Sequence, residues 1–290
     1  MTRIITSLSE ISESYDALFC DLWGCVHDGL APFAEAVAAL QAFRARGGTV
    51  MLVTNAPRAH APVRRQLDRL GVPSDAYDGI ATSGDSARAA MLRGAVGEKV
   101  YFIGQPHDQD FFAPLELIEN PVTISQVPLE QAEGMVCCGP FDPLADPEEM
   151  RAQFLQAKTR GLKLLCANPD IVVDRGETRE WCAGALAKLY TEMGGESLYF
   201  GKPHPPIYDL ARRRLQALGK DIPDSRILCV GDGILTDIDG AMGEDLDSLF
   251  ITGGLAARET QTADQPDPKA LMAYLTKEMR QPAYSIGKLR

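Results

Sequence analysis

The sequence predicts an α/β protein: a parallel sheet with helices, interrupted by a second, inserted α/β domain. Three observations predict it. Short apolar runs alternate with helical runs along most of the chain, the pattern of successive βαβ units. Three of the apolar runs close on a polar residue and a turn, at Asp21, Thr54 and Asp232, as strands of open α/β sheets do where they hold ligands. Near Gly94 the texture changes to short strands, long connections and frequent Pro and Gly, as in Gln105-Pro106, Gly139-Pro140 and Asp142-Pro143, before the first pattern resumes. The expected organisation is a main domain in two parts, residues 1–83 and 183–290, around an insertion at 84–182.

Taken in order, the first strand is the run Ala17-Leu18-Phe19-Cys20, which ends in Asp21 and a glycine-punctuated turn. Residues 33–46 carry Phe33, Ala36, Val37, Leu40 and Phe43 at helical spacing, and Gly47-Gly48 closes that helix. A second strand, 49–53, ends at Thr54-Asn55. A helix over about 61–70 stops at Gly71, and the run 79–83 leads into a helix near 86–92. In the insertion, strands are expected at 99–103, 135–138 and 162–166, with a helix near 147–159. A helix near 184–193 then leads through 198–200 to Gly201-Lys202-Pro203, and another follows over 206–218. The strand 226–230 runs into the acidic loop Gly231-Asp232-Gly233-Ile234-Leu235-Thr236-Asp237. The last strand is 248–252, and the last helix, 268–277, has Asp267 placed to cap it and Pro268 at its first position.

Composition narrows the functional classes. The 290 residues carry 29 basic and 40 acidic side chains, so the net charge is 29 − 40 = −11, with no basic run. No nucleic-acid partner is expected of such a chain, although one lysine and a metal can still make a local site for an anionic substrate. Seven cysteines at irregular spacing lack the paired spacings of a zinc site and are expected to be reduced core residues. The N-terminus has no long apolar stretch and no later segment could span a bilayer, so no membrane partner is expected and the cytoplasm is the expected location.

The chemistry lies in Asp21, Thr54-Asn55, Lys202 and the pair Asp232 and Asp237. Singly, each has an ordinary role: a strand-end aspartate caps or turns the chain, Thr-Asn starts a helix, and Lys-Pro decorates a surface. In this order, each near the end of an apolar run, they are expected to build a phosphate and magnesium site where the strand ends converge. A carboxylate at Asp21 can attack a phosphoryl group. Asp21 and Asp232 suit a hard cation, and Lys202 is a compact charge against phosphate. The Thr54 hydroxyl and the Asn55 N–H can donate to phosphate oxygens, and Asp237 can ligate through water or orient Lys202.

These residues resemble the motifs of haloacid dehalogenase (HAD)-superfamily hydrolases, in particular the class IIA, NagD-like branch of sugar and nucleotide phosphatases. The likeness spans nearly the whole chain and includes Asp21-Leu22-Trp23-Gly24, Val53-Thr54-Asn55, Thr82-Ser83, Ala167-Asn168-Pro169-Asp170, Gly201-Lys202-Pro203 and Gly231-Asp232-Gly233-Ile234-Leu235-Thr236-Asp237. The resemblance implies a Rossmann-like parallel-sheet core with an α/β cap domain of the class IIA type inserted at 84–182, and a Mg²⁺-dependent phosphatase of a small phosphorylated metabolite. It makes Asp21 the nucleophile. Thr54, Asn55 and Lys202 hold phosphate. Asp21, Asp232 and the backbone carbonyl of residue 23 hold the metal, with Asp237 in support. Capped relatives of this branch often pair, which makes a homodimer one expectation.

One position departs from that pattern. Relatives usually carry a second aspartate two residues after the nucleophile, which protonates the leaving group and then activates water; this chain has Trp23. A tryptophan supplies the carbonyl equally well but no proton, and general acid–base help is commonly worth about 10²–10⁴ in rate. Three outcomes are open. The substrate's leaving group needs little protonation; or another group, with His27, Asp28, a cap residue or the substrate itself as candidates, supplies the proton; or the protein binds a phosphorylated ligand without turnover. Transfer to an acceptor other than water is a further alternative.

Overall fold

The computed structural model describes residues 2–113, 120–175 and 178–290. The chain divides into two compact units, one of Met1–Thr54, Arg64–Ala81 and Lys202–Arg290, the other of Asn55–Val63 and Thr82–Gly201. In chain order the first unit opens with β1 (Arg3–Ile4), β2 (Ala17–Cys20), α1 (Ala34–Ala45), β3 (Thr49–Thr54), α2 (His60–Leu70), whose first residues to Val63 group with the second unit, and β4 (Gly79–Thr82), whose last residue also does. The second contains α3 (Ser83–Leu92), β5 (Lys99–Ile103), β6 (Ser125–Gln126), β7 (Gly134–Cys137), α4 (Arg151–Thr159), β8 (Lys163–Cys166), β9 (Val172–Arg175), β10 (Thr178–Trp181), α5 (Ala183–Glu192) and β11 (Glu196–Tyr199). The first then resumes with α6 (Pro205–Ala217), β12 (Ile227–Gly231), α7 (Asp239–Gly243), β13 (Asp247–Ile251), α8 (Pro268–Glu278) and β14 (Tyr284–Ile286).

The first unit is built on a seven-stranded sheet in the order β1-β14-β13-β12-β2-β3-β4. Its centre, β12-β2-β3, is parallel, with Cys20 level with both Val230 and Leu52. Every residue of these three strands is buried, which explains their near-continuous apolar sequence: a central parallel strand is covered on both faces. Phe19, Met51, Val53 and Cys229 pack with Ile207, Tyr208, Ala211 and Leu215 of α6 in one core cluster. In α1 the residues at helical spacing, Ala36, Val37, Leu40 and Phe43, are the buried ones, while Phe33 is the residue before the first turn. Asp267 caps α8 as expected, accepting from the N–H groups of Lys269 and Ala270.

The second unit has its own five-stranded sheet, β11-β8-β7-β5-β6, and an antiparallel hairpin of β9 and β10. Here the expected boundary at residue 182 is corrected. The helix and strand that follow it belong to the second unit, because β11 pairs in parallel with β8, Leu198 level with Leu165. Helix α5 likewise buries Leu186, Leu189 and Tyr190 among Leu164, Cys166 and Phe154. Helix α3 begins at Ser83, earlier than expected, because the Thr82 hydroxyl caps it by accepting from the Asp85 N–H.

Candidate active site

The first unit's own sheet brings four of the sequence-predicted charges together. The Asp21 N–H donates to the Val230 carbonyl at 2.8 Å, extending the β2–β12 ladder by one bond and fixing the residue at the strand end. Since Cys20, Leu52 and Val230 are level in parallel strands, the residues just beyond them, Asp21, Thr54 and Asp232, fall at the same end of the sheet. Lys202 stands three residues before α6. Its Nζ donates to Oδ1 of Asp21 and to Oδ1 of Asp237, each at 2.6 Å. Asp21, Lys202, Asp232 and Asp237 are 9%, 4%, 6% and 5% exposed; Asp21 and Asp237 are paired with Lys202, as buried charges must be, while Asp232 accepts from a backbone N–H.

Three carboxylates face one ammonium, and the local electrostatics show the imbalance. Burial alone would pull the Lys202 ammonium down, but Asp21 and Asp237 outweigh it and hold it well above its ordinary value. Burial raises the Asp237 carboxyl to about 6 against the attraction of Lys202, with Asp21 adding to the rise. Asp232 is pushed well above the carboxylate range by burial and by the charges of Asp21 and Asp237.

The backbone is shaped around these carboxylates. Asp237 sits in a single π-turn, Ile234–Ile238, in which the Ile238 N–H reaches back to the Gly233 carbonyl at 3.1 Å; such turns recur at functional sites. Its Oδ2 accepts from the Gly233 N–H at 3.0 Å. Asp232 Oδ2 accepts from the Leu255 N–H at 3.0 Å. That oxygen lies so close to two backbones that a Cβ on Gly24 would come within 2.3 Å of it, and one on Gly254 within 2.0 Å. Gly24 also has φ +76°, a conformation that only glycine adopts freely.

Ligand atoms of Asp21, Cys25 and Asp232 all lie within 4.8 Å of one another. The two carboxylates offer the hard oxygen donors that Mg²⁺ takes, and the crowding that disfavours a charged Asp232 is relieved by a bound cation. On donor type and charge, the residues present fit the ion.

The turn after Asp21 is closed by hydrogen bonds from the Val26 and His27 N–H groups to the Leu22 carbonyl and from the Gly24 N–H to the His27 carbonyl. The half-buried Trp23 ring meets the His27 ring edge to face at 5.4 Å and lies against Gly29, where a Cβ would come within 2.4 Å of it. Neither expected substitute acid has the properties of one. His27 is 2% exposed rather than a solvated turn residue. Its Nδ1 accepts from the Gly29 N–H at 3.0 Å, and burial lowers its pKa, so it stays neutral. Asp28 Oδ1 accepts from the Leu30 and Ala31 N–H groups, which hold its carboxyl below the usual range and ionised. Both side chains build the turn.

Thr54 is buried at the end of β3. Asn55, the next residue, groups with the second unit, where its side-chain amide donates to Asp170 Oδ1 at 2.8 Å and the Asp170 N–H donates to Asn168 Oδ1. Cys25 is free and buried, as expected of the cysteines, and lies beside Asp21 and Asp232; sequence reasoning missed the Gly254-Leu255 contact to Asp232. The Gly253-Gly254 pair just beyond the last large strand was the available signal for that contact.

Comparison with known proteins identifies the family. The sequence model described as haloacid dehalogenase-like hydrolase matches residues 18–117, and a second, HAD-hydrolase-like model matches residues 199–277. The crystal structure of a hydrolase of the haloacid dehalogenase-like family from Brucella suis 1330 superposes with a TM-score of 0.85 at 39% identity, over 99% of this chain and all of that one. The chain therefore belongs to the haloacid dehalogenase-like hydrolase family. Among curated proteins, the 5'-nucleotidase YutF of Bacillus subtilis (strain 168) is 25% identical over 266 residues, 91% of this chain and 97% of that protein. A glycerol phosphate phosphatase from Mycobacterium tuberculosis, solved in complex with magnesium, superposes with a TM-score of 0.67 at 25% identity, over 99% of this chain and 78% of that one.

Proposed function

We propose that this protein is a Mg²⁺-dependent phosphatase of a small phosphorylated metabolite, acting through an aspartyl-phosphate on Asp21. The observation that carries the reading is the buried Lys202 bridging Asp21 and Asp237, with Asp232 at the same sheet end. The phosphatase relatives and the magnesium complex of one of them support it. An Asp21 oxygen attacks phosphorus and the bond to the leaving oxygen breaks; water then attacks phosphorus and Asp21 is released. Lys202 holds Asp21 in place and opposes the charge of the incoming phosphate. The Thr54 hydroxyl donates to a phosphate oxygen. Asp21, Asp232 and the Trp23 carbonyl would hold Mg²⁺, which supplies positive charge against the dianionic substrate.

Trp23 restricts the substrates. With His27 neutral and Asp28 tied into its turn, the leaving oxygen departs without a proton. Aryl and acyl phosphates, whose leaving groups are stable as anions, fit that requirement. The same turn supports a second reading, a protein that binds a phosphorylated ligand and does not turn it over. Phosphate release from p-nitrophenyl phosphate and a panel of metabolites with Mg²⁺ separates the two. Release from wild type that is lost in Asp21→Asn supports catalysis, equal release from both refutes the nucleophile, and tight binding with no release across the panel supports the second reading.

A further inference from the structure

Cys25 is the one member of the Asp21–Cys25–Asp232 cluster without a place in the proposed reaction. It is 1% exposed, and its Sγ lies within 4.8 Å of ligand oxygens of both carboxylates. The thiols of Cys20, Cys137 and Cys166 donate to carbonyl oxygens; among the described residues, none accepts from the Cys25 thiol. A fully buried, unpartnered sulfur therefore points at two carboxylates already fit for a cation.

We propose that Cys25 makes this a two-mode metal site, resting on the Asp21/Asp232 cation position of the proposed function. Hard Mg²⁺ takes the carboxylate oxygens and leaves the sulfur alone. A soft divalent ion such as Zn²⁺ or Cd²⁺ takes Asp21, Asp232 and Cys25 together, because thiolate ligands select soft metals. Donors around a tetrahedral zinc stand ~3.5 Å apart, so side-chain adjustments of ~1 Å close the cluster around the ion. On binding, sulfur exchanges its proton for the metal and the proton leaves to solvent. The soft ion shares Asp21 and Asp232 with Mg²⁺ and is held by Cys25 as well, so it displaces the Mg²⁺ that the proposed reaction uses, and the site senses thiophilic metals as inhibitors.

The test is Cd²⁺ titration of the reduced full-length protein, following sulfur-to-cadmium charge-transfer absorption, with Mg²⁺ binding followed separately by its effect on thermal unfolding. The expected result is one equivalent of Cd²⁺ producing the band in wild type and being displaced by excess Mg²⁺. Cys25→Ser and Cys25→Ala lack the band and bind Cd²⁺ at least about tenfold more weakly. Asp232→Asn also loses the band. Mg²⁺ binding together with a band-free Cd²⁺ complex, or a band that persists in both Cys25 variants, overturns this proposal and leaves the phosphatase reading standing. Failure of the wild type to bind either ion overturns both.

Discussion

At position 23 the chain carries a ring that packs on its own turn, against His27 and Gly29. Trp23→Asp is expected to raise turnover of alkyl phosphates by about 10²-fold or more, with a much smaller gain for p-nitrophenyl phosphate. Steady-state rates over a series of leaving groups check this, and an equal change across the series would assign Trp23 to packing or substrate contact. His27→Gln is expected to leave that series unchanged, since His27 is buried with its Nδ1 tied to the Gly29 N–H. It does change stability. Burial lowers the folded-state pKa of His27 below its ordinary 6.5, so between the two values the unfolded chain binds more protons and stability falls as pH drops. Urea unfolding below about pH 6.5 should therefore show a shallower pH dependence in His27→Gln than in wild type. Asp21, Lys202, Asp232 and Asp237 were legible because each ends or follows an apolar run. The burial of His27 was not, because it depends on how the turn closes back on Leu22.

At the scale of elements, the loop after β2 and the π-turn after β12 form a cradle whose shape depends on missing side chains. Gly24→Ala places a Cβ 2.3 Å from Asp232 Oδ2 at φ +76°. It is expected to cost about 1–2 kcal/mol in chemical denaturation and to abolish the thermal response to Mg²⁺. A folded variant with wild-type Mg²⁺ response would show that Asp232 does not hold the ion where its backbone neighbours place it. Periodicity read the longer strands and helices of both units as elements but missed β1, β6, β9, β10, α7 and β14, which are two to five residues long and too short to show a period. It could not assign β11 and α5 to a unit, because Leu198-Tyr199-Phe200 suits either sheet and only its pairing with β8 decides.

Over the whole molecule, the site is a reservoir of buried negative charge within a stable fold, and its residues should respond to substitution with opposite signs. Mg²⁺ at a hundred times its dissociation constant should stabilise the protein by about 2.7 kcal/mol, raising Tm by roughly 5–10 °C. Asp232→Asn relieves the crowding with Asp21 and Asp237, so it should be at least as stable as wild type without metal and lose the Mg²⁺ response. Lys202→Met leaves two buried carboxylates without their counter-charge and should cost about 3–5 kcal/mol. Thermal unfolding of the three proteins with and without Mg²⁺ gives all of these values. The charge imbalance itself was foreseeable from three acidic positions and one lysine, whereas its degree of burial required the sheet.

The proposed lack of a proton donor at Trp23 has a kinetic consequence that tests the central claim directly. With p-nitrophenyl phosphate the first step needs no proton donor, but the second lacks a base to activate water, so the covalent intermediate should accumulate. Acid quench within the first turnover, followed by peptide mass spectrometry, should find phosphate on the peptide containing Asp21, with a burst of nitrophenol approaching one per active site. Phosphate on any other residue, or p-nitrophenyl phosphate turnover by Asp21→Asn at the wild-type rate, would contradict the assignment of Asp21 as nucleophile.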